Sequence, residues 1–261
     1  MTLVSLTTDF GTRDPYAAAM KGVLLEGCPD ARIVDLTHEI GPHDVLEGAL
    51  FLAAAVPYFP AGTIHVAVVD PGVGTGRRGL VAATAGQLVV CPDNGLLTLL
   101  ARRYEVTARA IENRALFRTP VSPTFHGRDV FAPVAAYLAC GGDVSKVGPP
   151  IEDLVRLPLP EPARSGGVVR GEVIHIDHFG NAVTNIDAPA FDALDRPLAV
   201  AAGGRELGHL KLTYGDVPAG DALALIGSAG LLEVAVREAS AADRLGLRLG
   251  DAVEVRPAPG R

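Results

Sequence analysis

The stretch from Leu3 to His38 decides how this chain is to be read. It holds "LVSLTTDFG" (3–11), "DPYAAAMKGVLLEGC" (14–28) and "ARIVDLTH" (31–38). The first segment is a buried-strand pattern that runs into a glycine turn. The second has Pro15 in its opening turn with Ala, Met and Leu behind it, which is a helix start followed by helix formers. The third is again a strand. Strand, helix and strand in so few residues predict an α/β layered domain.

The same alternation continues outward. "VLEGALFLAAAVPYF" (45–59) reads as a helix and "GTIHVAVVD" (62–70) as a strand. "GLVAATAGQLVVCPDNG" (79–95) reads as two short strands around a turn at Ala85-Gly86, and "LLTLLARRY" (96–104) and "RDVFAPVAAYLACG" (128–141) read as helices. The expected first domain is residues 1–157, α/β with a mostly parallel sheet. "RLPLPEPARSGG" (156–167) holds three prolines and paired glycines, so residues 158–167 are expected to be a linker. Residues 168–261 carry "VVRGEVIHID", "AVTNI", "LAVAAGG", "HLKLTYGDV", "ALALIG", "LLEVAV" and "DAVEVRP". These are short strands separated by turn residues, the pattern of a small all-β barrel.

Composition limits the partners. The 261 residues are 48% hydrophobic and 20% charged, enough for packed cores. A formal charge of −7 argues against nucleic acid or an acidic membrane surface and favours a small-molecule ligand. Cys28, Cys91 and Cys140 are odd in number and widely spaced, which fits a reducing, cytoplasmic setting and no zinc site. The chain opens directly on a strand without a signal-peptide core, and "ALFLAAAVPYF" is too short and proline-broken to span a bilayer.

Four constellations carry candidate chemistry. In "TDFGTRDPY" Asp9 falls at the end of the first strand, where open α/β sheets bind ligands and where a carboxylate can accept a ribose diol. Asp14, just before Pro15, is equally placed to cap the helix. "VAVVDPGVGTGRRG" (66–79) resembles a phosphate loop, but it lacks the Lys and hydroxyl of a Walker loop and begins with Asp70. "SPTFHGRDVFAP" places His126 at a helix entrance beside Arg128 and Asp129, which read as an ion pair or cap. "IDHFGNAVTNI" sets Asp177, Phe179, Asn181 and Asn185 around a glycine bend. An aromatic and an amide two residues apart can stack on a purine and read its edge. His175 and His178 alternate faces there, so no metal site is expected.

In order along the chain, "LTTDFGTRDPYAAAMKG", "VVDPGVGTGRRG", "PDNGLLT", "TFHGRDVFAP", "DHFGNAVTNI" and "GSAGLLEVAV" resemble one family. It is the S-adenosyl-L-methionine hydroxide adenosyltransferases (S-adenosylmethionine hydrolases), relatives of the bacterial fluorinase and chlorinase. The resemblance implies an α/β domain followed by a β-barrel, and a homotrimer with sites at subunit interfaces. It implies an Asp–Arg–His triad on Asp70, Arg77 (not Arg78) and His126, which the halogenases lack. It further implies that Asp9 holds the ribose hydroxyls; Asp14, from its place before the helix, is also counted among the substrate-binding candidates. Phe179 and Asn181 would face adenine, Asp177 would lie near the substrate ammonium, and Ser228 near its carboxylate. The halogenases follow that serine with an arginine; here Ala229 follows. His43 stands where they have an aromatic lid.

The reaction so implied is S-adenosyl-L-methionine plus water giving adenosine and L-methionine, with no cofactor. His126 would take a proton, Asp70 would orient the imidazole or stabilise its cation, and Arg77 would hold a hydroxide-like oxygen. Two other readings stay open at this point: a non-catalytic protein that binds S-adenosylmethionine or adenosine, and a halide-dependent adenosyltransferase.

Overall fold

In the computed structural model, which describes residues 2–258, β1 (Leu3–Thr8) is buried at every position after its first. It is flanked by β2 (Arg32–Thr37) and β3 (Ile64–Val68), both parallel to it. A strand paired on both edges and covered on both faces is mainly apolar, and its buried hydroxyls need partners: Ser5 bonds His65 and Thr8 bonds His38. Helices α1 (Tyr16–Gly27) and α2 (Val45–Ala55) form the crossovers. The α2 N-terminus is fixed reciprocally: Asp44 accepts from the Glu47 amide at 2.9 Å, and Glu47 accepts from the Gly41 amide at 2.6 Å.

The rest of this unit, Met1–Leu157, is β4 (Gly79–Thr84), β5 (Gln87–Pro92), α3 (Leu100–Arg103), β6 (Val106–Ala110), α4 (Ala132–Ala139) and β7 (Pro150–Ile151). The sheet order is β2-β1-β3-β5-β4-β6-β7. Only the pairs from β2 to β5 are parallel; β5-β4, β4-β6 and β6-β7 are antiparallel. The expectation of a mostly parallel sheet is therefore corrected to a mixed one. The cause is the two-residue turn at Ala85 and Gly86, with φ of 50° and 73°. Such a turn can join only antiparallel neighbours. The helix expected over 96–104 shrinks to Leu100–Arg103.

Strand β3 shows how the sheet divides the interior. Val66 and Val68 face a core with Met20, Leu24, Phe131 and Val134 from α1, α4 and the turn before α4, whereas Ala67 and Val69 face Leu52 and Leu100 from α2 and α3. Each fully buried leucine contributes about 1.5–3 kcal/mol through apolar burial. A polar chain crosses the sheet interior. Ser5 Oγ bonds His65 Nδ1 at 2.6 Å, and Gln87 donates to the Val56 and Phe59 carbonyls at 3.0 Å, which turns its oxygen to His65 Nε2. Burial holds His65 below its ordinary value, so this imidazole is neutral and structural.

The second unit, Pro158–Arg261, comprises β8 (Ala163–Ser165), β9 (Val168–Ile176), β10 (Ala182–Asp187), β11 (Leu198–Ala202), β12 (Arg205–His209), β13 (Ala222–Ile226), β14 (Leu231–Val236), α5 (Ala241–Leu245) and β15 (Ala252–Pro257). The order β12-β11-β15-β9-β10-β14-β13 is antiparallel throughout, and the Lys211 amide donates to the Ala224 carbonyl at 2.8 Å to bring the two ends together. The result is a nearly closed barrel-like sheet. Two expectations change here. Residues 163–165, inside the expected linker, pair as β8 with β9. The expected strand over 209–217 stops at His209, because Thr213 and Asp216 form a capping box on a short 3-10 turn.

Candidate active site

The chain leaves β2, passes over β1 and enters the sheet again at β3, so the connections diverge between β1 and β3. Ligands of open α/β sheets bind beyond the carboxyl ends of strands at such a point. Asp9 follows β1 directly, and Asp70 lies two residues past β3. Both line a cavity of about 500 Å³, together with Phe10, Tyr16, His43, Phe125 and His126.

Asp70 and Arg77 are joined face to face. Arg77 Nε donates to Asp70 Oδ1 at 2.9 Å, and Nη2 donates to Oδ2. The same Nη2 donates to His126 Nδ1 at 2.9 Å. The guanidinium also sits 5.2 Å from the centre of the buried Phe131 ring, which gives it a cation–π floor. Arginine can only donate, so Nδ1 is the accepting nitrogen and a neutral His126 carries its proton on Nε2. Burial, then the Arg77 charge, hold the His126 imidazole below its ordinary value. Of the two roles expected for Asp70, orienting the imidazole is corrected: Asp70 grips the guanidinium, and the guanidinium meets the imidazole, while the Asp70 charge still favours the imidazole cation. Arg78 takes no part, being paired with Asp93 at 2.6 Å and Asp153 at 2.8 Å.

Two backbone features make this meeting possible. Gly74 has φ of 77°, and a Cβ there would lie 2.4 Å from the Pro123 carbonyl oxygen. Glycine thus lets the 70–78 loop touch the 119–126 loop. His126 then leads into a wide π-helical turn, Gly127–Phe131, that opens α4. Such turns are frequent at functional sites.

Asp9 is held by its surroundings: the His43 amide donates to Oδ2 at 2.9 Å. His43 itself has φ of 67°, unusual for a residue with a side chain. Asp14 is exposed and outside this cavity wall, and the α1 N-terminus has no side-chain cap. The wall contains a group that the sequence reading passed over. Phe10, Tyr16 and Phe125 meet edge to face, with centroids 5.3–5.9 Å apart. The signal was present in "DF" and "FH", where an aromatic adjoins each of two polar site residues.

In the second unit Phe179 and Asn181 line a cavity of about 490 Å³ with Tyr214 and the 236–240 segment. Phe179 is 75% exposed, so its ring is free to stack. Asp177 shapes the bend: Oδ1 accepts from the Phe179 and Asn181 amides at 2.9 and 2.8 Å, and Oδ2 accepts from Asn181 Nδ2 at 2.9 Å. Behind Tyr214 lies Glu233, whose Oε1 accepts a hydrogen bond from the Tyr214 hydroxyl at 2.6 Å and which the sequence reading missed. Ser228 is exposed in the turn between β13 and β14 and lines neither cavity.

The chain is thus a two-domain protein: an α/β unit with a strand-end carboxylate and a linked Asp–Arg–His group, followed by a barrel-like β unit with an exposed aromatic and amide. The comparisons place it in a family. Residues 4–148 match the SAM hydroxide adenosyltransferase N-terminal domain, and residues 171–254 match the C-terminal domain of the same name. The chain belongs to the SAM hydroxide adenosyltransferase family. It is 44% identical over 256 residues, 97% of each chain, to an (R)-S-adenosyl-L-methionine hydrolase of Salinispora tropica. It is 30% identical over 289 aligned positions, 97% of this chain and 96% of the relative, to a fluorinase of Nocardia brasiliensis. In fold it resembles an uncharacterized conserved protein of Thermotoga maritima, with a TM-score of 0.89 and 38% identity, covering 97% of this chain and 99% of the other.

Proposed function

We propose that this protein hydrolyses S-adenosyl-L-methionine to adenosine and L-methionine, with a water attacking ribose C5′ in line with the departing sulfur. The observation that carries the reading is the Arg77 guanidinium, gripped by Asp70 and touching His126 Nδ1. Family membership and the likeness to hydrolases across the full chain support it.

The sulfonium leaves as a neutral thioether, so the leaving group needs no acid. The difficulty lies in the nucleophile, because free water has a pKa of about 15.7. In the proposed step the direct hydrogen bond between Arg77 Nη2 and His126 Nδ1 breaks, and a water takes its place as the two side chains part. It accepts from the guanidinium and donates to the imidazole. As the O–C5′ bond forms and the C5′–S pair passes to sulfur, the water proton moves to Nδ1 and later to solvent. General-base help of this kind is worth about 10²–10⁴-fold, and fixing the water in line lowers the barrier further. Asp9 would hold the ribose hydroxyls, and Phe179 and Asn181 would take the adenine. A homotrimer, in which each α/β cavity is completed by the barrel of a neighbouring copy, is part of the same proposal.

Incubation of the purified protein with S-adenosylmethionine, with and without chloride, tests the reading by chromatography. Adenosine and methionine in equal amounts are expected in both. Formation of 5′-chloroadenosine would make it a halide enzyme, and binding without turnover would make it a sensor. Light scattering of the eluting protein tests the trimer.

A further inference from the structure

The cavity wall between Asp9 and His126 is aromatic, and nothing in the triad or the ribose acid accounts for it. Phe10 follows Asp9 directly and Phe125 precedes His126 directly. Their ring centroids are 5.8 Å apart, and Tyr16 closes the triangle at 5.9 Å from Phe10 and 5.3 Å from Phe125. All three line the same cavity as Asp9, Asp70 and His126. Phe125 is braced by the Arg128 guanidinium, 4.9 Å from its centre, and Arg128 is itself neutralised by Asp129 at 2.7 Å. Gly127 leaves room for the Phe10 ring, since a Cβ there would stand 3.3 Å from Phe10 Cζ. Tyr16 remains 48% exposed, with ring surface open to a ligand.

Three rings packed edge to face against one another make one wall of the cavity, and the ring surface left open there is electron-rich and favours onium cations. The bond to be broken in the proposed reaction must lie between the ribose acid and the triad. One of its atoms is a sulfonium, a diffuse cation with no proton to donate, which a carboxylate cannot hydrogen-bond. From this placement we infer that Phe10, Tyr16 and Phe125 form a sulfonium-selecting wall. It separates S-adenosylmethionine from its neutral thioether counterpart S-adenosylhomocysteine. The inference deepens the proposed function and rests on it for the identity of the cation. The selection acts on the ground state. As C5′–S breaks, the positive charge on sulfur fades and the rings lose their hold. Methionine, a thioether, is therefore released from the wall rather than retained by it.

The test measures binding and turnover separately. Calorimetry on the full-length protein compares S-adenosylhomocysteine with sinefungin, a stable analogue that carries an ammonium in place of the sulfonium. The parent should bind the cationic ligand about 2- to 30-fold more tightly, the span expected of cation–π contacts. Tyr16→Leu should remove most of that preference by weakening only the cation, and Tyr16→Phe should keep it. Phe10→Leu is the second variant, checked for folding by its melting profile. In turnover, Tyr16→Leu should raise KM for S-adenosylmethionine with kcat unchanged or higher. Equal affinity of the parent for both ligands, or equal weakening of both in Tyr16→Leu, would overturn the inference while hydrolysis, if observed, keeps the proposed function standing. Charge-selective binding without hydrolysis would support the wall and overturn the reaction.

Discussion

Arg77 and His126 are 49 residues apart in sequence, yet the guanidinium Nη2 donates to the imidazole Nδ1 across 2.9 Å. This contact assigns roles that a residue list cannot. The imidazole nitrogen nearest the cation is its lone-pair side, so the pair holds a donor and an acceptor against each other, and a water can bridge them only once they part. The expected kinetic effects follow from this pairing.

Removing the donor should be costly. Arg77→Ala is expected to lower kcat/KM by about 10²–10³-fold, comparable to deleting a preorganised charged donor elsewhere. It should also leave Asp70, with a side chain only 6% exposed, without its partner, at a cost of about 3–5 kcal/mol. Asp70→Asn keeps the shape and should lose less stability than Arg77→Ala. Adenosine release followed by chromatography and thermal melting check both parts. A fully active Arg77→Ala would remove the triad from the mechanism.

The pH profile should carry the imidazole. His126 must be neutral to accept a proton, and burial together with Arg77 holds it below the ordinary histidine value of about 6.5. Activity is then full above the lowered value and falls as pH drops through it. The acid limb of kcat/KM should have its midpoint under about 6.5, and His126→Gln should abolish it. A limb centred above that value would contradict the assignment.

Gly74 is the position where backbone freedom is required. Gly74→Ala adds a Cβ 2.4 Å from the Pro123 carbonyl oxygen at a φ of 77°. The expected loss is about 1–3 kcal/mol of stability, with a fall in kcat as the 119–126 loop is pushed from Arg77. Gly76, whose added Cβ meets nothing within 4 Å, is the control and should tolerate alanine far better.

Glu233, in the second unit, offers a separate stability test. Burial, opposed by the Tyr214 hydrogen bond and reinforced by Asp177, raises its carboxyl above the ordinary range. A folded value above the unfolded one means that its contribution is fully present below the unfolded value. That contribution is lost as pH rises through the folded value. Glu233→Gln should therefore be more stable than the parent at neutral pH, with the gap in melting temperature closing as pH falls toward about 4. A gap that widens on acidification would refute this.

The parts that sequence made legible are those governed by local chemistry. The β1-α1-β2 unit, the Ala85-Gly86 turn and the Pro-rich exit near residue 157 depend on patterns within a few residues. Sheet direction was not legible as read, although the turn at Ala85-Gly86 already required antiparallel partners and the mostly parallel reading set that aside. β6 was missed because "VTARA" is half polar and owes its place to pairing with β4. The triad positions could be named through resemblance, but not which member grips which. That depends on the Gly74–Pro123 contact, a close approach between distant loops that no short window encodes. Phe10, Tyr16 and Phe125 were visible as letters and not as a cluster for the same reason.

The π-helical turn at Gly127–Phe131 has an evolutionary corollary. A turn of this kind carries one residue more than its α-helical equivalent. Loss of a single codon there would tighten the coil, leaving α4 seated in its hydrophobic bed while everything upstream swings by about 100°, the angle per residue of an α-helix. His126 would rotate out of reach of Arg77 with hardly a change to the fold. Under the proposed function, one in-frame deletion there would silence hydrolysis without any substitution of Asp70, Arg77 or His126.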